Sequence, residues 1–148
     1  MELTIRRGEA ADASVAIGVV RRSISELCGA DHCGHAQEID AWLANKTEAT
    51  WRQWISREDA NVLVADMTGR IVGVGMGTGR GEVLLNYVCP DVRFAGVSTA
   101  ILTALEAEAR AQGAARCFLE STETARRFYQ SRGYTSSVHG ALVMEKRL

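Results

Sequence analysis

The chain has 148 residues, 47% of them hydrophobic and 24% charged, an ordinary composition for one globular domain, expected to span 1–148. A formal net charge of −1 leaves no basic footprint for non-specific nucleic-acid binding. No apolar run approaches the roughly 18 residues of a membrane helix, Met1 to Arg7 lacks a signal core, and the cysteines number only four, so a soluble, cytoplasmic chain with reduced thiols is expected.

Glu2 to Arg7 alternates polar and apolar residues, with Leu3 and Ile5 on one face, and reads as a first strand. Asp12 is placed to cap a helix whose stripe is Ala16, Val20, Ile24 and Leu27. Cys28 to His35 is a polar, glycine-containing break; Ile39, Trp42 and Leu43 predict a second helix, and Trp51, Trp54 and Ile55 a short third. From residue 61 the pattern turns to strands. Asn61 to Asp66 and Ile71 to Met76 flank the hairpin connection Met67-Thr68-Gly69-Arg70, and Thr78 to Gly81 turns the chain into a third antiparallel strand, Glu82 to Cys89. Helical spacing returns at Val97, Ile101, Leu105 and Ala109, with Gly113 as the stop. A buried strand at Ala114 to Glu120, a short helix at Thr122 to Arg132 and a last strand at Ala141 to Lys146 complete the chain. This order predicts an α/β (α+β) fold, a mixed, mostly antiparallel sheet with helices on its faces.

The segment Tyr87-Val88-Cys89-Pro90-Asp91-Val92-Arg93-Phe94-Ala95-Gly96-Val97-Ser98 carries most of the functional signal. A strand runs into a short loop with one glycine, and an amphipathic helix follows. Such a junction aims several backbone N–H groups at one spot, a ready site for a phosphate or pyrophosphate. The sequence has no G-x-x-x-x-G-K-[ST] and no G-x-G-x-x-G after a strand, so the mononucleotide and dinucleotide loops are unsupported. The alternating Gly73, Gly75, Gly77, Gly79 and Gly81 read as a strand with one bare face, with close approach of a ligand as the alternative.

Arg93-Phe94-Ala95-Gly96-Val97-Ser98 resembles the acyl-CoA loop of the GNAT acyltransferase superfamily, Arg/Gln-x-x-Gly-x-Gly/Ala, with Ser98 in place of the last small residue. Leu85 to Pro90 resembles the family's fourth strand, and Ala125 to Tyr134 its downstream pattern A-x-x-F-Y-x-x-x-G-[FY]. The Ser23-Ile24-x-x-Leu27-Cys28 stretch is similar to bacterial members, and the likeness covers nearly the whole chain. The resemblance implies the GNAT fold and an N-acetyltransferase that passes an acyl group directly from acetyl-CoA to a primary amine of a small molecule or peptide, with no metal. It further implies that Tyr87, Val88, Arg93, Phe94, Ala95, Gly96, Val97 and Ser98 contact the co-substrate, with the Val88 N–H polarising the thioester carbonyl. Tyr129 would contact CoA and protonate the departing thiolate. Thr122 stands where many relatives carry a CoA-touching asparagine. Glu82 is the candidate base, with release of the proton to water as the alternative, and a homodimer is possible.

Residues 23 to 54 would wall the acceptor side. Cys28, Asp31, His32, Cys33 and His35 cluster there, but C-x₄-C-x-H fits no standard zinc spacing, so a polar loop is expected, with His32 or His35 as alternative bases. Trp42, Trp51 and Trp54 read as packing rather than a cage for a cation. Glu26, Asp31, Glu38, Asp40 and Glu48 against Lys46 alone would suit a cationic amine. The competing reading from another class is a catalytically weak CoA-binding sensor, favoured by Ser98 and Thr122 and opposed by Tyr129.

Overall fold

A computed structural model describes residues 2–27, 36–92, 95–136 and 142–148. The elements run β1 (Leu3–Arg7), α1 (Ala13–Leu27), α2 (Ala36–Leu43), α3 (Glu48–Ser56), β2 (Ala60–Met67), β3 (Arg70–Thr78), β4 (Val83–Val88), α4 (Val97–Ala111), β5 (Arg116–Glu120), α5 (Arg126–Ser131) and β6 (Val143–Arg147). The expected order is observed, with shifted boundaries. Asp12 does not act as the simple cap of α1. A 3₁₀ turn, Ala10–Asp12, comes first, and the Asp12 carboxylate accepts from the Glu9 N–H (2.8 Å) and from both terminal nitrogens of Arg6 (3.0 and 3.1 Å). The helix expected over Thr122 to Arg132 is only Arg126–Ser131, because the Thr122 hydroxyl accepts the Ala125 N–H (3.2 Å) and holds the preceding residues in a turn.

Strands β1 to β4 form one antiparallel sheet in chain order, and β5 and β6 form a second antiparallel pair. Thr68 and Gly69 join β2 to β3 with φ of 52° and 88°, the double positive φ of a tight hairpin turn, and the Asp66 carboxylate accepts the Gly69 N–H (2.7 Å). The two sheets touch through a single parallel bridge, Glu82 with Phe118, where the Phe118 N–H donates to the Gly81 carbonyl (2.9 Å). Gly81 is needed at that junction. Its φ is +100°, and a Cβ there would overlap the Arg116 carbonyl.

Strand β3 is buried from Ile71 to Thr78, as expected of a strand covered on both faces. The bare face of its glycines is covered by α4, not by a ligand. A Cβ on Gly73 would meet Ile101 and Val97 at 2.8 and 2.9 Å, one on Gly75 would overlap Ile101, and one on Gly77 would meet Leu105 at 3.1 Å. Helix α4 therefore lies directly on the strand backbone. Helix α1 also packs on β3, where Ala16, Val20 and Ile24 are fully buried, leaving it the face of Val72, Val74 and Met76. In α3, Trp51 is fully buried and its indole N–H donates to the Glu9 carbonyl (2.9 Å), so this tryptophan is core; Trp42 and Trp54 are partly buried against the same core.

Candidate active site

The two sheets part from the Glu82–Phe118 bridge onward, and a cleft of about 520 Å³ opens between β4 and β5. It is lined by β4, the first turn of α4, the end of β5 and α5. The register decides which backbone groups face it. Gly73 opposes Val88, and the Cys89 N–H donates to the Val72 carbonyl (2.7 Å). In an antiparallel ladder this makes Gly73–Val88 and Gly75–Asn86 the pairs that exchange no hydrogen bonds. The N–H and C=O groups of Val88 and Asn86 therefore point away from β3, toward the gap before β5.

Helix α4 begins at this gap. Gly96 is its N-cap, at φ 81° and ψ 9°, and no side chain caps the terminus. The first intrahelical bond runs from the Ala100 N–H to the Gly96 carbonyl (3.0 Å), which leaves the N–H groups of Val97, Ser98 and Thr99 without an intrahelical acceptor. The Ala95 N–H is already taken by the Val92 carbonyl (3.2 Å), and the exposed Ala95 does not line the cleft. A Cβ on Gly96 would meet nothing within 4 Å, so the space in front of the terminus is open. An uncapped helix start with free donors and open space suits an anionic group.

Tyr129 projects from α5 into the opposite wall and is 8% exposed. Phe128 and Tyr134 pack edge-on against it, with ring centroids 5.1 and 5.6 Å away. Burial pushes its phenol up to about 12, and the polar Asn86 amide across the cleft opposes that rise. The phenol is therefore protonated at neutral pH.

Of the residues expected at the site, Tyr87, Val88, Gly96, Val97, Ser98, Thr122 and Tyr129 all line the cleft. Val97 does so from a buried position against the Gly73 backbone, and Thr122 through the turn it caps. Arg93 and Phe94 lie outside the described residues, as do Cys28, Asp31, His32, Cys33 and His35. Among the described residues no cluster of His, Cys, Asp and Glu is grouped to hold a metal, and no helix is long and apolar enough to cross a membrane. Glu82 is not among the lining residues. It stands at the closed end of the wedge, its backbone tied to Thr78 (2.9 and 3.2 Å) and its carboxylate 3.8 Å from the Arg80 guanidinium.

Among the lining residues that escaped the sequence reading, Asn86, Glu120 and Arg132 bring an amide or a charge to the cleft. Asn86 donates from Nδ2 to the Ser98 carbonyl (3.2 Å). Glu120, at the end of β5, is the sole carboxylate among the described lining residues. Arg132 holds the Thr99 hydroxyl from Nε and Nη2 (3.0 and 2.8 Å) and stacks 5.1 Å from the Phe128 ring centre, which sets a cation beside the first turn of α4. Only Asn86 left a trace, as an amide within the apolar run Val83–Val88. Just beyond β4, the Cys89 thiol donates to the Asp91 carboxylate (2.6 Å), and Arg70 pairs with its other oxygen (2.6 Å). The thiol first, and Arg70 second, hold that carboxyl down at about 2. These contacts fix the exit of the strand.

A splayed pair of strands with an uncapped helix start at its mouth and a buried phenol opposite defines an acyl-transfer architecture. A family model, acetyltransferase (GNAT) domain, matches residues 30–145. The chain belongs to this family and is an acyltransferase. Among solved structures it is similar to the PaiA N-acetyltransferase of Thermoplasma acidophilum in complex with coenzyme A, at 20% identity and TM-score 0.84 over 100% of both chains. It is similar also to a GCN5-related N-acetyltransferase of Rhodopseudomonas palustris, at 29% identity and TM-score 0.84 over 100% of this chain and 97% of that one. The ribosomal-protein-S18-alanine N-acetyltransferase of Escherichia coli shares the fold at 17% identity and TM-score 0.71, over 99% of this chain and 94% of that one. No curated protein matches the chain.

Proposed function

We propose that the chain transfers an acyl group, acetyl in the first instance, from acyl-CoA to a primary amine. The observation that carries the reading is the wedge itself. It sets a strand N–H that is free of its ladder, an uncapped helix start and a protonated phenol around one cleft. The residues present fit the co-substrate: Val97, Ser98 and Thr99 offer N–H groups to a pyrophosphate, Gly96 leaves the approach open, and Arg132 adds a cation. Bound CoA supplies an activated thioester.

The Val88 N–H, preorganised by the sheet, stabilises negative charge on the thioester oxygen, a contact typically worth about 10²–10³-fold in rate. Holding the amine against the carbonyl supplies a further large part of the acceleration, with effective molarities reaching about 10⁵ M or more. Tyr129 donates its proton to the leaving sulfur. Glu120 gives the cleft a negative charge that suits a cationic amine before it loses its proton. Glu82, at the closed end of the wedge, takes no part, and the amine proton leaves through water. The likeness to proteins named as N-acetyltransferases supports the amine as acceptor.

The test is thiol release from acetyl-CoA against pooled amines, amino acids, polyamines and peptides. Thiol release that depends on one class of amine is expected. Tight CoA binding with no turnover across the panel would instead identify a sensor. With a chemistry-limited acceptor, Tyr129→Phe should lower kcat by ~10²-fold and leave acetyl-CoA affinity little changed; unchanged turnover removes Tyr129 from the reaction.

A further inference from the structure

We propose that Arg132 couples the phosphates of the donor to the placing of the acid: its guanidinium grips the pyrophosphate beside the start of α4 and, through α5, holds Tyr129 toward the leaving sulfur. The proposal rests on the cleft being an acyl-CoA site with Tyr129 as its acid, and adds the residue that joins the two ends of that site.

Arg132 stands where a cation is unfavourable in the chain by itself. It lies beside the first turn of α4, whose uncapped N-terminus carries the positive end of the helix dipole. Arg6, Arg22, Arg57, Arg70 and Arg116 each pair with a carboxylate. Arg132 has no carboxylate partner among the described residues. Its side-chain hydrogen bonds go to hydroxyls instead, from Nε and Nη2 to Thr99 and from Nη1 to Ser131 (2.8 Å). A guanidinium and a positive helix end, side by side on one cleft with no negative group between them, call for an anion that both can meet.

The guanidinium also has donors to spare. Of its five N–H bonds, Thr99 and Ser131 take three, which leaves one on Nη1 and one on Nη2. The Thr99 Oγ1 accepts from Arg132 twice, and among the described residues its own hydrogen has no acceptor. These donors adjoin the N–H groups of Val97, Ser98 and Thr99 that the helix leaves unused.

The same contacts make α5 a lever. The Arg132 N–H donates to the Tyr129 carbonyl (3.0 Å), the guanidinium stacks on Phe128, and Ser131 passes the chain of bonds on to the Phe128 carbonyl (2.6 Å). Among the described residues, side-chain bonds join this wall to α4 at two places. Tyr134 and Lys146 meet Glu106, about two turns beyond Thr99, so the tie at the mouth is the one from Arg132. That tie is exposed, and water competes with it while the cleft is empty. An anion against the fork fixes the guanidinium, and with it the short helix that carries Tyr129. Binding of an unreactive part of the donor is thereby converted into alignment at the sulfur.

The experiment crosses a substitution with a truncation of the donor. Wild type and Arg132→Leu are assayed by thiol release with acetyl-CoA, with acetyl-dephospho-CoA, which keeps the pyrophosphate, and with acetyl-pantetheine, which has no phosphate. With acetyl-CoA, Arg132→Leu should raise KM by about tenfold, the scale of one hydrogen bond to a charged group. It should also lower kcat by about fivefold or more, as alignment is lost. Acetyl-dephospho-CoA should behave in the same way, whereas with acetyl-pantetheine both constants should stay within about twofold of wild type. In the Tyr129→Phe background the effect on KM should remain and the effect on kcat should vanish. Without turnover, calorimetric titration should show the same tenfold loss of CoA affinity. Bound CoA should also slow hydrogen exchange less in the variant at the Tyr129 amide, which bonds the Ala125 carbonyl (3.1 Å). Arg132→Lys should recover affinity but not kcat, because an ammonium meets a phosphate without the fork that holds Thr99 as well.

Equal losses with all three donors would make Arg132 a structural residue only, and a loss confined to acetyl-CoA would assign it to the 3′-phosphate. Either result, an unchanged CoA affinity, full recovery of kcat by lysine, or a kcat loss that persists in Tyr129→Phe would overturn the proposal while leaving acyl transfer from CoA in place. No thiol release by wild type across the amine panel would overturn both.

Discussion

At the scale of single residues, the burial that makes Tyr129 a reluctant acid also keeps it available. Its phenol is pushed up to about 12, above the ordinary value of 10, by loss of solvent. The acid form is the competent one, so it is present below about 12 and lost only above it. The kcat measured with saturating amine should therefore show no alkaline fall up to about pH 11, whereas an unperturbed phenol would begin to fail near 10. The kcat/KM should rise with pH until the free amine is neutral. A decline in kcat with an apparent midpoint below pH 10 would mean that another group, or an unshifted phenol, supplies the proton. The same shift has a consequence for stability. The folded chain holds this proton more tightly than the unfolded chain, so the contribution is complete below pH 10 and is lost as pH rises through about 12. Tyr129 was legible in the sequence because its motif places it. Asn86, Glu120 and Arg132 were not, because each gains its meaning from elements distant in sequence: Asn86 from Ser98 on α4, Glu120 from the opening of β5 away from β4, and Arg132 from Thr99 on α4.

At the scale of elements, the glycines of β3 and the glycine at the start of α4 do different things, and two substitutions separate them. A Cβ on Gly75 overlaps Ile101, so Gly75→Ala must lift α4 from the strand or distort its side chains, at a cost of about 1–3 kcal/mol. Moving α4 also moves its N-terminus relative to Val88, so the affinity for CoA should fall together with Tm. Gly96 has open space around its Cβ position, and its φ of 81° makes any side chain strained by about 1–2 kcal/mol. Gly96→Glu should lower Tm only modestly yet abolish CoA binding, because it sets a carboxylate where the phosphates are to sit. Thermal unfolding and calorimetric titration with CoA distinguish the two patterns; retained binding in Gly96→Glu would remove the helix start from the site. The elements themselves were largely visible in the sequence. Turn chemistry marked the hairpin at Thr68-Gly69, and helical spacing marked α4. The bare face of Gly73, Gly75 and Gly77 could be read but not its covering, since the partner helix follows a whole strand and loop later. The split of the sheet between β4 and β5 left no local signal beyond the family resemblance, because an absent ladder has no periodicity.

At the scale of the whole molecule, the cleft exists because the two sheets decline to pair beyond Glu82 and Phe118. The β5–β6 pair is held to the rest by that bridge, by contacts of β5 with α4 and β4, by the Lys146–Glu106 ion pair from β6 to α4 (3.1 Å) and by the buried Cys117, Leu119 and Met144, while β2, β3 and β4 are joined by continuous ladders. A gap of this kind leaves backbone groups of β4 unpaired until something fills it, and the strand pair on its far side is the less firmly held. A ligand that reaches from the start of α4 into the wedge touches both sides at once. Acetyl-CoA at a hundred times its Kd should then add about 2.7 kcal/mol to stability, which raises Tm by about 5–10 °C for a chain of this size. Its distribution should be uneven. Hydrogen exchange should show added protection concentrated in β5, β6 and α5 and in the Asn86 and Val88 amides of β4, with little change in the β1–β2 ladder. Protection spread evenly over both sheets would mean that the ligand stabilises a body already rigid, and the division at Glu82–Phe118 would then be a matter of shape alone. Protection confined to α4 would mean that the ligand is held by its phosphates and never enters the wedge, leaving Val88 and Tyr129 with nothing to act on.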